Sequence, residues 1–402
     1  MSNEELARYA DAIVAVALGV REGDEVIVNA DLEYGELAVA AVAAAYRAGA
    51  RHAEVLYADE RVQAVQIRSS PEAFLGWQTP WRAAYMRWRE RPEVAAVNLL
   101  GDGDPQALAG LDPQRLSLHA TGMSRFLPWT RTPRSERRRR WIYAVWPDER
   151  WAQEVFPNVK PETAQRRLAR DLLDFCRVGP HDPPGALRAH LDGLHERADR
   201  LTRLALDRVE YRGPGTELTV RLPPEALWAG PWWTNDHGVR FSSNLPTEEV
   251  FTSPHAAGTE GVFRCSRPIR WHGRLVDGLV GEFRGGRLVR LSAKGRDGDF
   301  LRRYLAGVRN ADRLGEIALV DSSSRIGRTG RVYVNRLIDE NAVAHMAFGD
   351  AFAETRRSGR GGGLNRSDTH VDVMIGSDDL EVTGVRSDGR RVPLLRDGSW
   401  AV

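Results

Sequence analysis

The 402-residue sequence predicts an α/β protein in two parts: an N-terminal doubly wound α/β domain, then a mixed α+β domain. Three observations carry this expectation. The chain is too long for one small core. Its first third alternates helical and strand-like apolar patterns. Beyond about residue 210, short alternating strands and glycine turns replace the long helical repeats.

The elements follow in order. "ELARYADAIVAVALGV" repeats apolar residues at helical spacing, and "DEVIVNA" reads as a short strand. "GELAVAAVAAAYRAGA" is a second helix closed by Gly49, and "HAEVLYA" is the next strand. A strand–helix–strand crossover of this length implies a parallel pair. "EVAAVNLLG" adds a further strand, whereas "GDGDP" lacks the lysine and spacing of a phosphate loop and reads as a turn. Residues 105–210 form a helical extension, including "PETAQRRLARDLLDFCRVG". "GPGTELTVRLP" opens the second regime, so the predicted domains are 1–210 and 211–402. "RRSGRGGGLNRS" reads as a flexible loop.

Composition narrows the function classes. Apolar residues make up 42% and charged residues 28%, as in an ordinary globular protein. The 57 basic residues nearly balance the 55 acidic ones, which argues against a nucleic-acid partner. The basic run Arg137–Arg140 is expected on a solvated face. Cys176 and Cys265 build no disulfide framework, so a reducing, cytoplasmic compartment is expected. "AIVAVALGV" is too short to span a membrane and has no basic flank, so neither a membrane partner nor a signal peptide is expected.

Four stretches of the second half concentrate hard metal ligands. In "NLPTEEVFTSP", Glu248 and Glu249 are adjacent, so on a strand at most one faces a given metal. In "LGEIALV", Glu316 interrupts an apolar strand, where a carboxylate is costly without positive compensation. "DENAVAHMAFGDAF" reads as an alanine-rich helix with Asn341, His345, Phe348 and Phe352 on one face. In "HVDVMIG", His370 and Asp372 are two apart and share one strand face. Two histidines and three carboxylates in apolar elements point to a metal site. Five such ligands suit two divalent ions if carboxylates bridge them.

These stretches, with "GLNRSDTHVDVMIGS", "RWAQEVFP" and "GPGTELTVRL", closely resemble the thermophilic-type metallo-aminopeptidases, the group of aminopeptidases T, S and II. The resemblance covers the whole chain in order. It implies Glu249, Glu316, His345, His370 and Asp372 as ligands of two divalent ions (Zn, Co or Mn), peptide or small amide substrates with a free amine, and a homodimer. It selects Glu249 over Glu248. One position departs: the family typically has tyrosine where this chain has Phe352, so a phenol near the metals is missing. Glu340 is the expected general acid/base. Trp228, Trp232 and Trp233 are candidates to line a substrate pocket, Trp232 and Trp233 foremost. Two other readings stay open. His345, His370 and Asp372 alone are the ligand type of mononuclear iron ring-cleaving dioxygenases, and Phe352 fits a non-catalytic metal-stabilised binding protein.

Overall fold

The computed structural model describes residues 1–100, 105–131, 138–359 and 361–402. The "GDGDP" turn, except its proline, and Arg137 lie outside them. The first helix, Asn3–Asp11, starts where Ser2 and Glu5 cap each other's backbone reciprocally. Its apolar stripe runs on through Ala12–Ala17 into a buried cluster with the helix Gly35–Arg47.

Five parallel strands form the first sheet, in the order His52–Ala58, Glu25–Asp31, Val94–Leu100, Arg140–Val145 and Asn244–Leu245. The three strands expected in the first 100 residues are all present. The fifth strand returns from far along the chain. It lies only four residues before the strand Glu249–Thr252, so this sheet sets where the second sheet begins.

That second sheet has four antiparallel strands, in the order Glu249–Thr252, Leu314–Val320, His345–Gly349 and His370–Met374. Val250, Ile317, Leu319, Met346, Phe348, Val371 and Val373 point to one side of it. They share a core with Val209, Tyr211, Leu218, Phe263 and Phe283 of an eight-stranded antiparallel sheet. Phe348 lies 6.0 Å from Phe263 and 5.9 Å from Phe283, centroid to centroid. The architecture is therefore mixed α/β, with one parallel and two large antiparallel sheets.

Two expectations fail here. The "DENAVAHMAFGDAF" segment is not one helix. A short helix, Arg336–Glu340, stops at Asn341, and His345–Gly349 is a strand. Every residue of that strand is buried, so it shows no polar alternation, and its small residues imitate a helix. Phe348 consequently faces away from His345. Phe352 reaches the His345 side through the turn at Gly349, whose φ of +108° favours glycine.

The basic run is the second correction. Arg140 is fully buried, with Nη2 2.7 Å from Asp24 Oδ2 and Nη1 donating to the Gly19 carbonyl at 3.1 Å. The strand it opens is flanked on both sides, so its side chain has no route to water and needs an internal anion.

Replacing Arg140 by methionine leaves Asp24 buried and uncompensated. Arg140→Met should lose about 3–5 kcal/mol of stability in urea unfolding. A loss below about 1 kcal/mol would show the pair to be dispensable.

Candidate active site

The face of the four-stranded sheet opposite the core carries the chemistry. Register places Glu316, Ala347 and Asp372 in one row across three strands. Ala318 and His345 are partners in the next row, and His370 pairs with Gly349. Glu249 shares this face through the pair Phe251–Ala318. Small residues occupy the middle (Ala318, Ala347 and Gly349), so the larger side chains around them converge over open space. Gly315 forms a bulge in the Glu316 strand. A Cβ there would lie 2.0 Å from the Asp350 carbonyl oxygen.

All five predicted ligands meet. His345 Nε2 lies 3.2 Å from Glu249 Oε2. His370 Nε2 lies 2.9 Å from Glu316 Oε2 and 3.2 Å from Asp372 Oδ1. Glu249, Glu316 and His345 form one group of donors within 4.8 Å of one another, and Glu316, His370 and Asp372 form another. Glu316 belongs to both. Glu248 turns away to Arg177, 2.7 Å, and His190, 3.5 Å. Adjacent strand residues thus divide as their alternation requires.

These residues fit a metal. His370 donates Nδ1–H to the Asp350 carbonyl at 3.0 Å, which fixes the tautomer and leaves the Nε2 lone pair facing the carboxylates. His345 Nδ1 is buried with no hydrogen-bond partner among the described residues. Its other nitrogen, Nε2, is the one that faces the Glu249 carboxylate. The donors are imidazole nitrogens and carboxylate oxygens, the set that binds zinc-like divalent ions.

Electrostatics agree. Burial pulls His345 down, but the hydrogen-bonded Glu249 carboxylate, with Glu316 and Asp372, outweighs it and lifts the imidazole to about 10. His370 is likewise raised against its burial by Asp372 and Glu316. Asp372 is held low, against burial, by His370 and then His345. Glu340 is raised well above the carboxylate range by burial, then by Asp372 and Glu249. Without a cation, protons on the imidazoles serve as counter-charge.

A cavity of about 620 Å³ opens onto this cluster. Glu340 lines it, as do Phe352 and Trp233. Phe352 sits edge-on to His370 at 5.3 Å and packs against Phe251 at 5.1 Å. Trp233 is anchored by Nε1–H donation to Ser243 Oγ at 3.0 Å. Trp232 and Trp228 are not among its lining residues. Trp232 is buried in the N-terminal core and donates to Asp192, and Trp228 belongs to the main core. Sequence reasoning missed the Asp350 carbonyl and Arg336. The first is a backbone role with no residue signature; the second was legible as a cation one helical turn before Glu340.

The family model for thermophilic metalloproteases (M29) matches residues 2–400. This chain belongs to the M29 family. Within that family it is 37% identical to aminopeptidase T of Thermus aquaticus over 405 residues, covering 99% of each chain. It is 31% identical to aminopeptidase AmpS of Bacillus subtilis, again over 99% of each. The solved structure of wild-type AmpT from Thermus thermophilus superposes with a TM-score of 0.87 at 35% identity over 99% of both chains. This M29 protein is therefore a metallo-aminopeptidase. The 2,5-dihydroxypyridine dioxygenase of Pseudomonas putida KT2440 superposes at 0.57 with 13% identity over 100% of this chain and 98% of that one, a likeness of fold alone.

Two predictions follow from this geometry. In the metal-free protein the folded pKa of His345 exceeds its ordinary 6.5. Its pairing therefore stabilises fully below about pH 6.5 and is lost as pH rises toward 10. Urea melts of chelator-treated protein should show that decline, and metal addition near pH 7 should release protons, read by calorimetry in buffers of different ionisation enthalpy. Ala347→Leu should fill the space between Glu316 and Asp372 and weaken metal binding at least tenfold in equilibrium dialysis. Circular dichroism should keep its shape, with stability lowered by about 1–3 kcal/mol.

Proposed function

We propose that this M29 aminopeptidase is dinuclear. Glu249, Glu316, His345, His370 and Asp372 hold two divalent ions (Zn, Co or Mn) and Glu316 is common to both. The single observation that carries this is the pair of donor groups sharing Glu316 on one buried sheet face. The substrate is a peptide or small amide with a free N-terminal amine. A homodimer and a cytoplasmic location complete the reading. Both cysteines are buried and unpaired, in keeping with a reducing compartment, and no helix among the described residues is long and apolar enough to cross a membrane.

Bound in this site, divalent ions polarise a scissile carbonyl and make water acidic enough to attack near neutral pH. The chain's own residues do the rest. Glu340, in the same cavity, is raised by burial and carboxylate repulsion, which nearby cations would offset to leave it ionised. Ionised, it receives the proton from the attacking water and delivers it to the departing amine nitrogen as the C–N bond breaks. Phe251, Phe352 and Trp233 make an apolar wall beside His370 that excludes bulk water and takes an apolar side chain. Phe352 has no hydroxyl with which to meet developing oxyanion charge. A preorganised donor there is worth roughly 3 kcal/mol, about a hundredfold in rate. This narrows the enzyme to substrates that do without it.

The iron dioxygenase reading requires only His345, His370 and Asp372. It leaves two buried carboxylates, Glu249 and Glu316, within hydrogen-bonding reach of those histidines and without a task.

The test is metal content and cleavage on one preparation, wild type beside Phe352→Tyr and Glu340→Gln, with free N-terminal peptides and Zn, Co, Mn or Fe supplied. About two ions per chain and release of N-terminal residues are expected. Glu340→Gln should lower kcat by about a hundredfold or more at unchanged metal content, and Phe352→Tyr should raise it. One iron per chain with oxygen uptake on hydroxylated aromatics, or bound metal with no turnover in any variant, would sink the reading.

A further inference from the structure

The cavity continues from the carboxylate cluster to a wall built by the parallel sheet, where Asn98, Trp141 and Tyr143 line it. Asn98 and Tyr143 are register partners there, and the Trp141 and Tyr143 rings lie 5.0 Å apart. Two guanidiniums also face the cavity. Arg89 directly follows the helix Pro80–Trp88, and Arg336 opens the short helix that ends at Glu340.

Their chemistry sets these two arginines apart. Neither guanidinium makes a hydrogen bond or an ion pair with a described residue, although the charge of Arg336 is felt by Glu340 and Asp372. Arg89 lies over Tyr85 at 5.6 Å and Arg336 over Trp271 at 5.4 Å. The Nε–H of Arg89 is buried with no acceptor. Arg140, Arg197 and Arg274 also leave Nε unpartnered, but each gives another nitrogen to a carboxylate or a carbonyl. Arg139, a third guanidinium on the cavity wall, donates to the Thr130 carbonyl at 2.8 Å. Buried donors are almost always satisfied, so an unpartnered guanidinium nitrogen on a cavity wall calls for an explanation.

An anion suits guanidinium groups so placed. A guanidinium presents a planar fork that matches a carboxylate bidentately. At the metal-ligand end the cavity is lined by Glu249, Glu316, Glu340 and Asp372, which attract an amine and repel a carboxylate. A peptide carries both charges, and the cavity offers both complements. We propose that Arg89 and Arg336 bind a carboxylate on the leaving side of the scissile bond, so that the enzyme selects peptides bearing one. The carboxylate is either the C-terminus of a short peptide or an acidic side chain. The orientation rests on the proposed function, with the amine at the metal-ligand cluster.

The experiment compares Leu-Leu with its C-terminal amide, and Leu-Glu-amide with Leu-Gln-amide. The first pair reads a terminal carboxylate and the second an acidic side chain. At least one pair should differ by about tenfold or more in kcat/KM, chiefly through KM, as expected for a charge-assisted hydrogen bond. In Arg89→Met and Arg336→Met, singly and together, that ratio should fall toward one, and the lysine variants should restore part of it. Titration of metal-free wild type with the same four peptides, followed by tryptophan fluorescence, should rank them alike without turnover. If no peptide is cleaved, the proposed function fails, while a carboxylate preference in the titration still supports the arginine site. Equal rates and equal binding within both pairs overturn it, as do ratios unmoved in the arginine variants. Should a variant not fold, the wild-type ratios decide alone.

Discussion

Three carboxylates and two imidazoles face one another on one largely buried sheet face, and a fourth carboxylate, Glu340, lines the same cavity. Taking each charge out of water costs several kcal/mol even after relaxation, and like charges at this range oppose one another. The fold must hold such a cluster open rather than let it collapse or turn outward. It does so with a four-stranded antiparallel sheet whose other face is committed to the main core. Flipping any ligand toward solvent would drag Ile317, Met346, Phe348 or Val371 out of that core.

The same constraint accounts for residues that touch no substrate. Ala318 and Ala347 are small because they stand between ligands. Gly315 has no Cβ because the Asp350 carbonyl must come close enough to accept from His370. Glu248 is paired with Arg177, so its own charge does not add to the repulsion beside Glu249. Burial nonetheless raises Glu248 from its ordinary value, with Arg177 opposing. Arg177 holds a positive φ of 54° at the end of a long helix, a backbone cost tolerated where it delivers a cation to the back of the site.

Much of this was legible in the sequence, for physical reasons. Strand alternation assigns His370 and Asp372 to one face, and the expense of a lone carboxylate in "LGEIALV" marks Glu316 as partnered. The early strands stood out as short apolar runs between helical repeats. The His345 segment did not, because a strand buried on both faces carries no alternation and alanine suits either conformation. Arg140 was misread because a run of like charges is ordinarily solvated, and nothing local says that one member enters a sheet beside Asp24. Trp232 and Trp233 differ in role although adjacent, since one faces a core and the other the cavity. Which face was which depended on a hairpin partner, Arg240–Ser242, and not on the tryptophans themselves.

The fifth strand of the parallel sheet, Asn244–Leu245, is donated by the same stretch of chain that four residues later supplies Glu249. Its carbonyl-to-amide ladder to Tyr143 and Ala144 ties the two halves at the point where the chemistry starts. Neither half is therefore a transferable module. Recombination that exchanged the first 200 residues for a foreign domain would remove the template against which the first ligand strand is aligned.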